Sequence, residues 1–302
     1  MNTENKIIDI HHHVIGGKNP NAASLPPWNM EIDEQAMDRM GIAGALLSLP
    51  VASTPEVTRQ INDFLAQFEA YNPERYGMLA CLPSAHPDAA LKEIEYAYET
   101  LNADGFIMPS NAGGIYIGDD RMDEILAELD RRSAVILLHP TKPATVETSL
   151  YVKDMSIYEF PFDTTRAMMD LIYRGKIQKY PNIKWIVSHA GGTIPYIAYR
   201  LSTVAEENKV SALSAGEVLA SLKSLYYDVA LSTSPSVFLT LKELAGVSHI
   251  MFGTDYPLRY ETGVTENIQI INNYNGFSKN EKCMIMSETA KNLFARFNLI
   301  NR

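Results

Sequence analysis

The chain has 302 residues, of which 46% are hydrophobic and 21% charged. That length suits one α/β barrel, and the composition is that of a globular protein whose core needs no covalent staples. The formal net charge of −10 argues against nucleic acid or an anionic membrane surface as a partner, but not against a small anionic substrate, which answers to the local field of its pocket.

Residues 1–6 are polar and lack an apolar signal core. The first short apolar run, 7–11, leads into a long connection over 14–31. A second run, 45–49, precedes a helix capped by Thr54 and opened by Pro55, with Ile61, Phe64, Leu65 and Phe68 as its apolar stripe. A third run, 77–82, holds Cys81, read as a buried strand residue; Cys81 and Cys283 form no disulfide framework. Pro87 and Asp88 open the next helix, which places Leu91, Ile94, Tyr98 and Leu101 on one face. Runs 105–108 and 135–139 flank a helix over 120–131 built on Met122, Ile125, Leu126 and Leu129.

After a second long connection, 140–162, a helix is expected over 163–179, with Asp163 as its N-cap and Ala167, Met168, Leu171, Ile172 and Ile177 facing inward. Run 185–189 follows, then run 227–231, then a helix opened by Ser234 and Pro235 and carrying Phe238, Leu241 and Leu244. Run 249–253, a third long connection over 256–276 and a helical segment from Ser278 to Phe297 complete the chain. No apolar run approaches the ~20 residues needed to cross a membrane, so a cytoplasmic protein is expected.

Alternating strands and helices imply a parallel sheet, and eight such units imply a closed (β/α)8 TIM barrel, read as one domain over 1–302. An open doubly wound sheet would instead need a Gly-rich phosphate turn after an early strand. Gly16-Gly17 and Gly113-Gly114 lack its spacing. The three long connections follow strands one, five and eight, so a barrel stands them together at its C-terminal face, where barrel enzymes do their chemistry.

Polar residues suited to binding a metal end four of the strands. His11 and His13 are two apart and therefore point the same way. His139 ends the fifth run, His189 ends the sixth, and Asp255 follows the eighth. Each alone also suits a hydrogen-bonded strand end; together, imidazoles and a carboxylate at one rim suit zinc, manganese or iron. His12 alternates outward and is read as structural, His86 as a loop residue, and His249 as lying at the opposite end of the barrel. Trp28, Phe162 and Arg259 stand in top-face loops and could line a pocket, while Arg166 could grip a substrate carboxylate or make a salt bridge.

The motifs Ile8-Asp-Ile-His-His-His-Val14, Leu138-His-Pro140, Phe160-Pro-Phe-Asp-Thr-Thr165, Ile186-Val-Ser-His-Ala-Gly-Gly192 with Pro195 and Arg200, and Phe252-Gly-Thr-Asp-Tyr-Pro257 span nearly the whole chain. Their combination resembles the amidohydrolase superfamily in its amidohydrolase-related branch. More narrowly it resembles the aminocarboxymuconate-semialdehyde decarboxylase group and its 6-methylsalicylate decarboxylase-like members. The resemblance implies a TIM barrel of the metal-dependent hydrolase type, with His11, His13, His139 and Asp255 as ligands and His189 as a catalytic residue beside the ion. The fourth run, Gly105-Phe-Ile-Met-Pro109, lacks the lysine that bridges two metals in many relatives, so one ion is implied, zinc first and manganese as the alternative.

The implied reaction is decarboxylation of an aromatic or conjugated unsaturated acid, with the proton coming from Asp255, His189 or metal-bound water. Hydrolysis of a lactone, ester or amide by metal-activated water, with Asp255 taking the water proton, is the second reading. A metal-binding barrel without catalysis is the third. The resemblance further implies a homodimer.

Overall fold

The computed structural model describes residues 6–15, 28–51, 53–143 and 154–300. The apolar runs form eight strands: β1 (Ile7–His13), β2 (Ile42–Ser48), β3 (Tyr76–Cys81), β4 (Gly105–Pro109), β7 (Val135–His139), β8 (Lys184–Val187), β9 (Tyr226–Asp228) and β10 (Ile250–Met251). A small antiparallel hairpin, β5 (Asn111–Ala112) with β6 (Ile115–Tyr116), sits between β4 and β7. The eight strands lie in the order β1-β2-β3-β4-β7-β8-β9-β10. Every neighbouring pair is parallel. Backbone bonds close the seam: Ile10 N–H to Phe252 O at 3.2 Å, Asp255 N–H to His11 O at 2.8 Å and His13 N–H to Tyr256 O at 2.7 Å. This is the (β/α)8 barrel expected.

Side-chain alternation divides the core in two. Ile8, Ile10, Leu46, Leu79, Cys81, Ile107, Val135, Leu137, Ile186 and Met251 fill the barrel interior. Their strand neighbours, such as Leu47, Ala80, Phe106, Ile136 and Val187, pack outward on the helices. Phe294, Phe297 and Ile300 join the interior cluster. They do so at the N-terminal rim: Lys6 Nζ donates to Ile300 O, and the Arg296 guanidinium grips Asp104 just before β4, at 2.9 Å. The bottom of the barrel is thus plugged by the chain's own end, leaving the opposite rim for the site.

The helix signals act as read at most places. Thr54 accepts from Val57 N–H and Pro55 takes the first position of α2 (Pro55–Tyr71). α1 (Met30–Met40) ends on Gly41 in the left-handed conformation at φ 74°, where a glycine carries no Cβ penalty. Four expectations need correction, the first being that the connection expected over 256–276 holds a helix, Glu261–Asn273. Asp163 is not an N-cap: α5 runs over Glu159–Tyr173, and α3 (Pro87–Glu99) and α4 (Asp123–Arg131) precede it.

Asp163 lies one turn inside α5, fully buried. There it accepts from Ser110, from Asn111 Nδ2 at 3.1 Å and from Tyr116 Oη at 2.6 Å. The helix also stops before Lys179, at Gly175, which has φ 70°. The segment from Ser278 is not one helix. It widens over Met284–Glu288, and the Ile285 carbonyl accepts from Phe252 N–H at 2.8 Å, as a widened turn allows by freeing a carbonyl. Of the long connections, residues 16–27 and 144–153 lie outside the described residues. Among the described residues no helix is long and apolar enough to cross a membrane.

Phe297→Ala should cost about 3–5 kcal/mol, since it hollows the buried plug. Equilibrium denaturant unfolding checks this; a loss under about 1 kcal/mol would show that the C-terminal plug is dispensable.

Candidate metal centre

The motif Asp9-Ile-His-His-His13 cannot follow simple alternation. Ile8 and Ile10 face the interior, so His11 would face outward in a regular strand. The register against β2 shows why it does not: Asp9 pairs with Ala45 and His12 with Leu47, three steps against two. This β-bulge turns His11 inward beside Ile10 and restores alternation from there. His13 then also faces in and His12 faces out. Gly253 makes room, because a Cβ on it would lie 2.8 Å from His11 Cβ.

Three further residues bring their side chains to the same point. His139 ends β7 in phase with the interior residues Val135 and Leu137. His189 lies just past β8, not at its end as expected, in a left-handed turn with φ 53°; Ala190 follows at φ 57°. Asp255 is also left-handed, at φ 60°. His11 has ring-centroid distances of 4.8 Å to His13, 5.0 Å to His139 and 5.1 Å to His189. Asp255 Oδ1 is 3.0 Å from His13 Nε2 and 3.5 Å from His11 Nε2, and its Oδ2 is 3.7 Å from His189 Nε2. One donor atom from each of His11, His139, His189 and Asp255 lies within 4.8 Å of the others, and His11 Nε2 is 3.0 Å from His13 Nε2.

The outer nitrogens separate the histidines into two kinds. His11 Nδ1 lies 2.7 Å from Asp228 Oδ2. His139 Nδ1 lies 2.8 Å from Pro140 O. His13 Nδ1 lies 3.0 Å from Ser48 Oγ, whose own proton goes to His12 O at 3.1 Å. In all three the outer neighbour must accept, so Nδ1 carries the proton and the Nε2 lone pair turns inward. That is the arrangement of metal-binding imidazoles. His189 is different: neither of its buried ring nitrogens has a partner among the described residues.

Burial and neighbouring charges act unevenly on these groups. Burial pushes His13 down more than Asp255 raises it. Burial and the surrounding imidazoles push His139 well down. Burial alone would lower His11, but Asp228 outweighs it. Burial alone would raise Asp255; the imidazoles of His13, His189 and His11 hold it well below the usual carboxylate range.

His139 Nε2 and Asp255 Oδ1 are buried without a hydrogen-bond partner among the described residues, a state that is costly unless something else satisfies them. Asp255 Oδ1 is close to His13 Nε2 but not aligned with it, as expected of donors aimed at a common third point. Imidazole nitrogens and one carboxylate, converging on one point, fit a divalent ion.

Sequence reasoning did not find the groups that support these side chains. Asp9 Oδ1 accepts from His11 N–H and Thr254 N–H, both at 3.0 Å, tying β1 to the segment that carries Asp255. His12 lies between Asp9 and Asp33, 2.9 Å from each. Burial would lower it, but Asp33 and Asp9 raise it to about 10. With an acceptor on each nitrogen it is an imidazolium.

Trp28 stands with this support: its indole N–H donates to Asp33 Oδ1 at 2.9 Å, and it lines a cavity of about 510 Å³ with Phe64 and Phe68. Phe162 is exposed. Arg166 approaches Asp163 at 3.7 Å and Arg259 approaches Glu266 at 3.7 Å, both half-exposed. The Arg259 backbone N–H donates to Asp255 O at 2.9 Å, but among the described residues no side-chain hydrogen bond or ion pair joins these three to the five convergent residues.

Residues 8–296 match the family described as amidohydrolase. The chain belongs to the amidohydrolase family. It is similar to a 6-methylsalicylic acid decarboxylase of Penicillium expansum, with 34% identity over 83% of this chain and 84% of that protein. The solved structure of an amidohydrolase II superposes with TM-score 0.86 at 25% identity, covering 95% of this chain and 99% of that one. A 5-carboxyvanillate decarboxylase from Novosphingobium aromaticivorans, solved with manganese and a nitrobenzoic acid, shares the fold at TM-score 0.84 and 18% identity, covering 97% of each chain.

Elemental analysis of this amidohydrolase should find about one equivalent of divalent metal per chain. The ion should be lost in His139→Ala and Asp255→Ala. Gly253→Ala removes no ligand, yet should also lose most of the metal by displacing His11; full occupancy in that variant would contradict the role given to the bulge.

Proposed function

We propose that the chain is a metal-dependent decarboxylase, a carboxy-lyase acting on small aromatic carboxylic acids. In this reading one domain carries the site, His11, His13, His139 and Asp255 hold one divalent ion, and His189 handles the proton. The observation that carries the ligand assignment is the set of three histidines whose Nδ1 groups are each engaged from outside, leaving three Nε2 lone pairs facing one carboxylate oxygen. Among the described residues His189 has no such outer acceptor, which supports a part in proton transfer over a part in ligation. The similarity to decarboxylases of aromatic acids supports the reaction class.

When bound, the ion supplies Lewis acidity that fixes and polarises the oxygens of the substrate; zinc suits the donor set, and manganese, present in the carboxyvanillate enzyme, suits it as well. The bond between the ring carbon and the carboxylate breaks, CO2 leaves, and the electron pair stays on the ring carbon, which takes a proton. His189 and Asp255, 3.7 Å apart, are the pair that carries this proton. Their burial keeps bulk water from competing. Phe162, Arg166 and Arg259 are assigned to the substrate's ring and carboxylate.

A cytoplasmic homodimer goes with this reading. Cys81 and Cys283 are unpaired, as thiols are in reducing compartments. The exposed Tyr196 and Tyr199 offer aromatic surface of the kind found at subunit contacts.

Incubation with salicylate-type acids should release CO2, whereas small lactones should release no acid. His189→Ala should keep its metal and lose roughly 10²–10⁴-fold in rate, the usual worth of a positioned proton donor. Lactone turnover without CO2 from any aromatic acid would replace the decarboxylase with a hydrolase. Metal loss in His189→Ala would make that residue a ligand.

A further inference from the structure

The carboxylate of Asp228 ends β9 on the interior side and is fully buried. Its Oδ2 lies 2.7 Å from His11 Nδ1. Its Oδ1 accepts from the backbone N–H of His189 at 2.8 Å and of Ala230 at 3.0 Å. All three partners are donors. Only a group that accepts on both oxygens satisfies them, and in this volume that is a carboxylate.

The two oxygens therefore serve different halves of the site. Oδ2 keeps the His11 proton on Nδ1 and so directs the Nε2 lone pair at the centre. Oδ1 anchors the backbone where His189 and Ala190 adopt φ 53° and 57°, a conformation that residues with a Cβ adopt only when held. The packing leaves Asp228 little freedom to move: a Cβ on Gly253 would come within 3.3 Å of Asp228 Cβ and 2.8 Å of His11 Cβ. On the opposite side of the turn, Gly191 lies against the Tyr227 ring, where a Cβ would meet Cε1 at 2.7 Å.

We infer that Asp228 is a positioning residue shared by metal binding and proton transfer, fixing the tautomer of His11 with one oxygen and the left-handed turn that presents His189 with the other. The inference rests on the metal centre proposed above and not on the identity of the substrate.

Asp228→Asn tests it with little change in volume. An asparagine can accept from His11 or from the His189 backbone, but its NH2 must then face the other donor. Titration of the metal-depleted protein with Mn2+ and with Zn2+ against a competing chelator should show affinity reduced by about 10–100-fold, the usual cost of losing such a partner. Long-range 1H–15N NMR of the same metal-depleted samples gives a readout that loss of stability alone would not move. His11 should be protonated on Nδ1 in the wild type and on Nε2, at least in part, in Asp228→Asn.

Hydrogen exchange of the segment around His189 supplies the second arm. Exchange there should be faster in Asp228→Ala, and in any Asp228→Asn molecules that keep the His11 bond. Unchanged affinity with His11 still protonated only on Nδ1, or unchanged exchange in a folded Asp228→Ala, would overturn the inference. A wild type that binds neither ion would overturn it together with the metal centre. CO2 release bears on neither result, so a failed decarboxylase assignment stays distinguishable.

Discussion

The seam between β10 and β1 is the contact on which the site depends. Three backbone hydrogen bonds close the sheet there, and Asp9 reinforces them by accepting from Thr254 on the far side. His11, His13 and Asp255 all stand within this seam. A barrel open at that point would separate them, and no later packing could bring the two ends of the chain within one ion's reach. Plugging of the lower rim by Phe294, Phe297 and Ile300 serves the same end, since it fills the interior below these side chains.

Around the seam, buried charge is arranged in two tiers. The inner tier turns the Nε2 atoms of His11, His13 and His139 and one ionised carboxylate toward the centre. The outer tier satisfies the remaining nitrogens: Asp228 for His11, Ser48 for His13 and the Pro140 carbonyl for His139. His12 belongs to the outer tier as a cation between two carboxylates, and it links β1 to α1 through Asp33, which also binds Tyr76 at 2.7 Å and Trp28. Burial makes each of these bonds costly to break, because a lone buried donor or charge has no water to turn to. The inner tier inherits its geometry from that cost.

Backbone strain is present where the chemistry is assigned, as it is at Asn102, Ser133, Lys209 and Leu231 elsewhere among the described residues. His189, Ala190 and Asp255 all lie at positive φ, at the ends of two different strands. A regular strand continuing past Val187 would send successive side chains alternately in and out. The left-handed turn instead places His189 at the rim and brings its backbone to Asp228. The cost of such conformations is of order 1–3 kcal/mol each, which the surrounding hydrogen bonds and packing must offset.

Much of this architecture was readable in the order of residues. Eight short apolar runs separated by amphipathic stretches determined a closed parallel barrel, because alternating strand and helix units leave few other ways to bury both faces of the strands. The position of His11, His13, His139, His189 and Asp255 at run ends marked one rim. What the sequence could not decide was direction. Period-two alternation counted from Ile8 and Ile10 points His11 outward, and only the bulge against β2, with room left by Gly253, turns it inward. Asp228, Ser48 and Asp9 were likewise invisible as supports, because each acts on a residue remote in the chain or across a strand pair. A hydrogen bond between positions 217 residues apart leaves no local trace; it exists only once the sheet has closed.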